Sequence, residues 1–166
     1  MSSRVRLAAV AVAMVSLAVA GSATAADRGA GARFHIGATL HLSFTGRTCA
    51  GFPGFVVAGT GSAQGTDIGR ASWAGTECVA ALDTGQTVVT AADGAQLQLS
   101  CVSAVLSYDP VTGLVHAVGS FTVDGGTGRF AGSTGGGTIT ANANILTLTT
   151  LLDLDGTIRQ GHDGDS

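Results

Sequence analysis

Few side chains in this sequence can move a proton or hold a metal. They are four histidines (His35, His41, His116 and His162), a single glutamate (Glu77), three cysteines (Cys49, Cys78 and Cys101) and a scatter of aspartates. His35 and His41 fall on the same side of one alternating segment, with Thr39 and Ser43 alongside. If that side lined a cavity, the pair could serve as acid and base or orient a ligand oxygen. Six residues along a strand put their Cα atoms about 20 Å apart, so one metal ion cannot bridge them. The alternation therefore predicts two outward-facing histidines. His116 alternates with Leu114 and Val118, which suggests an inward-pointing core histidine and, second, a weak catalytic or ligand-binding candidate. Glu77 stands beside Cys78 and near Trp73. A carboxyl buried against an aromatic ring holds its proton to higher pH and could donate it, but a surface residue at the strand end is the expectation, with the proton donor second. Asp67 and Arg70 fall on opposite faces of a regular strand and would pair only across a bulge at Gly69.

No constellation of stronger specificity is present. The sequence has no HExxH, GxSxG, phosphate-cradling P-loop or CxxC. The run Asp153-Leu154-Asp155-Gly156 has part of a calcium loop's pattern. Leu151 stands at the first ligand position and His162 where the closing glutamate belongs, so a β-turn ending the last strand is expected instead. No metal and no cofactor is predicted.

The elements that would position these residues are extended. At residues 34–44 the even positions are Phe34, Ile36, Ala38, Leu40, Leu42 and Phe44, while the odd ones are His, Gly, Thr or Ser. Period two over this length is a strand with one buried face, because a helix would spread the same residues around its axis. Further strands are expected at 55–65, 67–79, 86–91, 95–106, 114–123, 133–145 and 146–158, the last with Leu146, Leu148, Leu152, Leu154 and Ile158 on one side. Ala92-Asp93-Gly94 reads as a hairpin turn, and Asp109-Pro110-Val111-Thr112-Gly113 as a second turn with Tyr108 at the rim before it. About eight strands without a helix predict a sandwich or a barrel. A chain with no lysine lacks the usual protection for open sheet edges, and its glycines suit the bends that closure needs, which favours one closed antiparallel β-barrel.

The ends and the charge set the context. Arg4 and Arg6, an apolar run over 7–20 broken only by Ser16, and the small residues Ala23 and Ala25 have the three-part pattern of a cleaved signal peptide. Residues 1–25 are read as that helical signal, 26–160 as the barrel domain, and 161–166 as a polar tail. The apolar run is short of the roughly 18–20 residues a spanning helix needs, so no membrane insertion is expected after cleavage. With 8 basic against 11 acidic residues there is no basic footprint for nucleic acid. In an oxidising compartment three cysteines favour one disulfide and one leftover thiol. Three pairings exist. Cys49 follows the first strand and Cys78 ends the third, which puts both at one end of a meander, so Cys49–Cys78 is expected. Cys101 shares parity with Leu97, Leu99 and Val105, which predicts a buried, unreactive thiol.

The segment Val123-Asp124-Gly125-Gly126-Thr127-Gly128-Arg129-Phe130-Ala131-Gly132-Ser133-Thr134-Gly135 resembles the GGTGRF-x-G-A-x-G stretch of allene oxide cyclase and dirigent proteins, and of secreted bacterial members of that group. Read physically, Gly125, Gly126 and Gly128 permit a tight turn, Phe130 can plug a barrel end, and Arg129 can hold turn carbonyls or an acid. A second block, Gly-x-Gly-x-Ala-Thr-His-Leu-Gly-Arg in relatives, is similar to residues 59–70 here, with Asp67 in place of the histidine. The resemblance implies an eight-stranded barrel, cofactor-free, holding an apolar small molecule and often dimeric or trimeric. No family catalytic residue is carried over. Three functions follow as expectations: a binder of an apolar small molecule, a cofactor-free cyclase or isomerase or dirigent-type enzyme, and a structural barrel filled with side chains. Weak ligand-binding candidates are Phe34, Leu40, Leu97, Leu99, His116 and Phe121.

Overall fold

The computed structural model describes residues 31–50, 53–80 and 82–161. The expected signal segment, 1–25, and the tail from 162 with His162 lie outside the described residues. Eight strands follow in order: β1 Ala32–Thr48, β2 Phe55–Gly65, β3 Gly69–Val79, β4 Asp83–Ala91, β5 Gln96–Asp109, β6 Leu114–Gly126, β7 Thr134–Asn144 and β8 Thr149–Arg159. Each pairs antiparallel with the next, and β8 returns to β1 with Ala32 opposite Ile158 and His41 opposite Thr149. The sheet closes into a barrel. Closure leaves no edge strand for another chain to extend, which suits a sequence without lysine. Inward glycines allow the tight coiling: Gly137 and Gly156 face each other across β7 and β8, and a Cβ on Gly137 would lie 2.0 Å from the Asp155 carbonyl oxygen.

The two ends of the barrel differ. At one end β1 begins and β8 finishes, beside the β2–β3, β4–β5 and β6–β7 turns. Large inward side chains fill this half: Phe34, Ile36, Leu97, Leu99, Phe121, Leu154 and Ile158 are all buried, with the rings of Phe34 and Phe121 5.9 Å apart. The Gly-rich block supplies the plug. Gly125 and Gly128 adopt positive φ, a short 3-10 turn spans Gly128–Phe130, and Phe130 is fully buried. The Arg129 guanidinium forms an ion pair with Asp93 of the β4–β5 turn, donates to the Ile68 carbonyl of the β2–β3 turn at 3.3 Å, and lies 4.8 Å from the centre of the Phe130 ring. One side chain thus ties three turns together over the plug.

Towards the other end the same inward rows become small. Phe121 and Val123 of β6 give way to Ala117, Trp73 of β3 to Gly75, Val89 of β4 to Thr87 and Gly85, and Ile139 of β7 to Ala141 and Ala143. Small side chains cannot fill an eight-stranded barrel, so this half stays hollow.

Two expectations about the strands are corrected. Asp153-Leu154-Asp155-Gly156 is not a turn but lies inside β8, its aspartates on the outer face. Leu146 and Leu148 belong to the turn before β8, because the Asn144 carboxamide oxygen accepts from the backbone N–H of Leu146 and Thr147 and ends β7, and Leu148 adopts φ 54°. Asp109 organises the β5–β6 turn as expected, accepting from the Val111 N–H at 2.9 Å and the Thr112 hydroxyl at 2.7 Å. Tyr108 is exposed at that rim.

Candidate functional site: a cavity in the open half of the barrel

A cavity of about 270 Å³ occupies the hollow half and opens at the end away from the Phe130 plug. Trp73, Leu40 and Ile139 line its inner part, and Val57, Ala117, Ala141 and Leu152 form much of its wall. Its rim is apolar. Phe44 and Phe55 are exposed there with ring centroids 5.4 Å apart, and Val105 and Ile145 are exposed around the same mouth. The Cys49–Cys78 disulfide sits at this end, with 5.5 Å between the two Cα atoms, and ties the loop after β1 to the end of β3. The pairing is the one the meander predicted.

The ionisable groups of the cavity cluster on one wall. Glu77 on β3, Asp83 on β4, and Cys101 and Ser103 on β5 all line it. Strand parity explains this: Glu77 continues the inward row Trp73, Gly75, and Asp83 opens the row Gly85, Thr87, Val89. In the register Glu77 lies opposite Gly85 and Asp83 opposite Ser103, so the acids occupy adjoining strands at similar height. Burial pushes the Glu77 carboxyl from 4.5 up to about 7, and the neighbouring negative charge of Asp83 adds to the effect. Burial also raises Asp83, against the opposing influence of the Ala80 N–H that its carboxylate accepts at 2.9 Å. Among the described residues no protein group hydrogen-bonds the Glu77 carboxyl, and no histidine or arginine lines the cavity. On the far wall, since β4 and β8 are diametrically placed in an eight-strand ring, the buried Thr150 hydroxyl lacks a partner among the described residues.

The residues singled out in the sequence lie in different parts of the barrel. Leu40, Cys101 and Glu77 face the cavity, so Glu77 is not the surface residue expected at a strand end: it continues the inward row of Trp73 and Gly75. Phe34, Leu97, Leu99 and Phe121 are buried in the filled half and do not line it. His116 is the misplaced one: it points outward and its Nδ1 lies 2.9 Å from the Asn142 carboxamide oxygen. Val115 and Ala117 hold the inward positions of β6, so the apparent company of Leu114 and Val118 was that of an apolar outer face. His35 and His41 are exposed as the alternation predicted, and His35 Nδ1 lies 3.0 Å from Asp155 Oδ1 and 3.3 Å from Asp153 Oδ1 on the outer wall. Asp67 adopts φ 61° in the β2–β3 turn and makes no ion pair with Arg70 among the described residues. Cys101 is partly buried, and burial foremost, with Glu77 and Asp124 nearby, pushes its thiol up to about 12. A thiol that seldom ionises is a poor nucleophile.

Sequence reasoning missed Asp83, Ser103 and Thr150. Ser103 was legible, being two residues beyond Cys101 in an inward row. Asp83 was hidden because Gln86 looked like the start of its strand. Compared with known proteins, the chain matches no family model, no curated protein and no solved structure.

Proposed function

We propose that this is an exported barrel of the allene-oxide-cyclase/dirigent-like type that binds an apolar small molecule in its open half without a cofactor. The observation that carries the reading is the hollow itself, a cavity of about 270 Å³ behind a rim of exposed aromatic and aliphatic side chains. An apolar cavity with a few convergent polar groups is the usual form of a small-molecule site. The unfilled half counts against a barrel that is purely structural. Export rests on the signal pattern of residues 1–25, and the Cys49–Cys78 bridge suits an oxidising compartment. Native mass spectrometry of protein purified from its host's culture medium tests the reading. A co-purifying small molecule supports it, and failure to bind any apolar compound in a screen would end it.

Glu77 favours a second reading, a cofactor-free cyclase or isomerase on the same barrel. A carboxyl that titrates at about 7 can donate and recover a proton at neutral pH, and here it faces the cavity without a protein partner. Turnover of a bound compound by the wild type, and not by Glu77→Gln, would distinguish enzyme from binder. The dimer or trimer implied by the family resemblance is a separate matter for light scattering.

A further inference from the structure

We propose that the cavity selects, among apolar small molecules, those carrying a primary or secondary amine, which the Glu77 carboxylate holds by a charge-assisted hydrogen bond. This rests on the cavity being a binding site and adds the chemistry of its occupant. Two acids, Glu77 and Asp83, stand on one wall of an otherwise largely apolar space. Buried carboxyls are ordinarily satisfied by a cation or by several N–H donors. Asp83 has the Ala80 N–H, whereas the half-buried Glu77 has no hydrogen-bonding protein partner among the described residues and meets only the open space of the cavity.

Among the described residues no cationic side chain lines the cavity. The chain has no lysine, Arg129 is committed to Asp93 at the plugged end, Arg33, Arg47, Arg70 and Arg159 are exposed, and His35, His41 and His116 are on the outer face. The titratable groups facing the cavity are Glu77 from β3, Asp83 from β4 and Cys101 from β5, and each is neutral or negative. The strand on the other side of Glu77, β2, places Val57 opposite it and contributes no charge. An alkyl ammonium ion satisfies this wall, since its N–H groups donate to the carboxylate and its chain fills the apolar remainder. A fatty carboxylate of the same size meets two acids and no donor cation. The site therefore discriminates by charge as well as by shape.

The test uses the purified protein and three ligands of equal chain length: octylamine, octanol and octanoate. Trp73 is the sole tryptophan and lines the cavity, so its emission reports occupancy. At pH 8 octylamine should bind about tenfold or more tighter than octanol, and octanoate weakest. Lowering the pH to 5 protonates Glu77 and should shrink the amine's advantage, as should Glu77→Gln at pH 8. Asp83→Asn, which leaves Glu77 in place, should shrink it partially, and serves if Glu77→Gln folds poorly. Octanol or octanoate binding as tightly as the amine would overturn the amine assignment and leave the binding site standing. Failure of all three to bind would overturn both.

Discussion

Replacing Glu77 by glutamine should make the protein more stable at pH 8 and flatten its dependence on pH. In the folded chain the carboxyl titrates at about 7, against 4.5 when unfolded. Below the lower value both states carry the proton, and the group makes no difference to stability. Between the two, the unfolded chain has released its proton while the folded chain keeps it, so stability falls as pH rises. Above about 7 the whole cost is present. The separation corresponds to about 3 kcal/mol, and water entering through the open mouth should reduce that to about 2 kcal/mol. Asp83, also raised by burial, acts in the same direction and remains in the variant. Asp109 is held low by its Thr112 and Val111 hydrogen bonds, so its contribution is lost only as pH falls to acid values and does not confuse the comparison. Urea unfolding with the disulfide intact, at pH 4.5 and pH 8, measures the effect. The wild type should lose about 2 kcal/mol more than Glu77→Gln across that interval. Parallel profiles for the two proteins would refute the burial of this carboxyl in an unpaired state.

Other consequences concern the two ends of the barrel. Removing the Cys49–Cys78 bridge by a double Cys→Ala change should cost about 3–4 kcal/mol by closing no loop in the unfolded chain, as read from denaturant midpoints. At the plugged end Phe130→Ala should cost about 3–5 kcal/mol, and Arg129→Ala only about 1 kcal/mol, because the arginine's ion pair is largely solvated. The same unfolding curves check that order. Cys101 should resist alkylation by iodoacetamide at pH 8 in the folded protein and react at once in denaturant, since its thiol titrates at about 12 when folded. Ala141→Phe, which places a ring inside the hollow half, should abolish binding of apolar compounds while leaving the protein folded by circular dichroism.

The barrel was legible because its signal repeats. Phe34 to Phe44 alternates without a break, and the turns at Asp93-Gly94 and Asp109–Gly113 announce themselves by residue type. Arg129 and Phe130 were legible too: a Gly-rich turn with one aromatic and one cation has few other uses, and here they plug one end and tie its turns. The site was harder to read, since alternation gives the face of a residue but not its height along the barrel. Phe34, Leu97, Leu99 and Phe121 share the inward face with Leu40, yet only Leu40 reaches the hollow half. Height depends on the register and tilt of all eight strands together, which no single segment encodes. His116 was misread for a related reason, as Leu114 and Val118 are apolar on an outer face. The inward position of Glu77 is legible from its place two residues beyond Gly75 in the row of Trp73.

The central claim is that the open half of the barrel receives an apolar molecule, and Trp73 allows it to be tested directly. Titrating the wild type and Ala141→Phe with octylamine at pH 8 should give a saturable change in Trp73 emission in the wild type alone. A change that saturates with none of octylamine, octanol and octanoate, or one that is the same in both proteins, would contradict a binding site in the cavity.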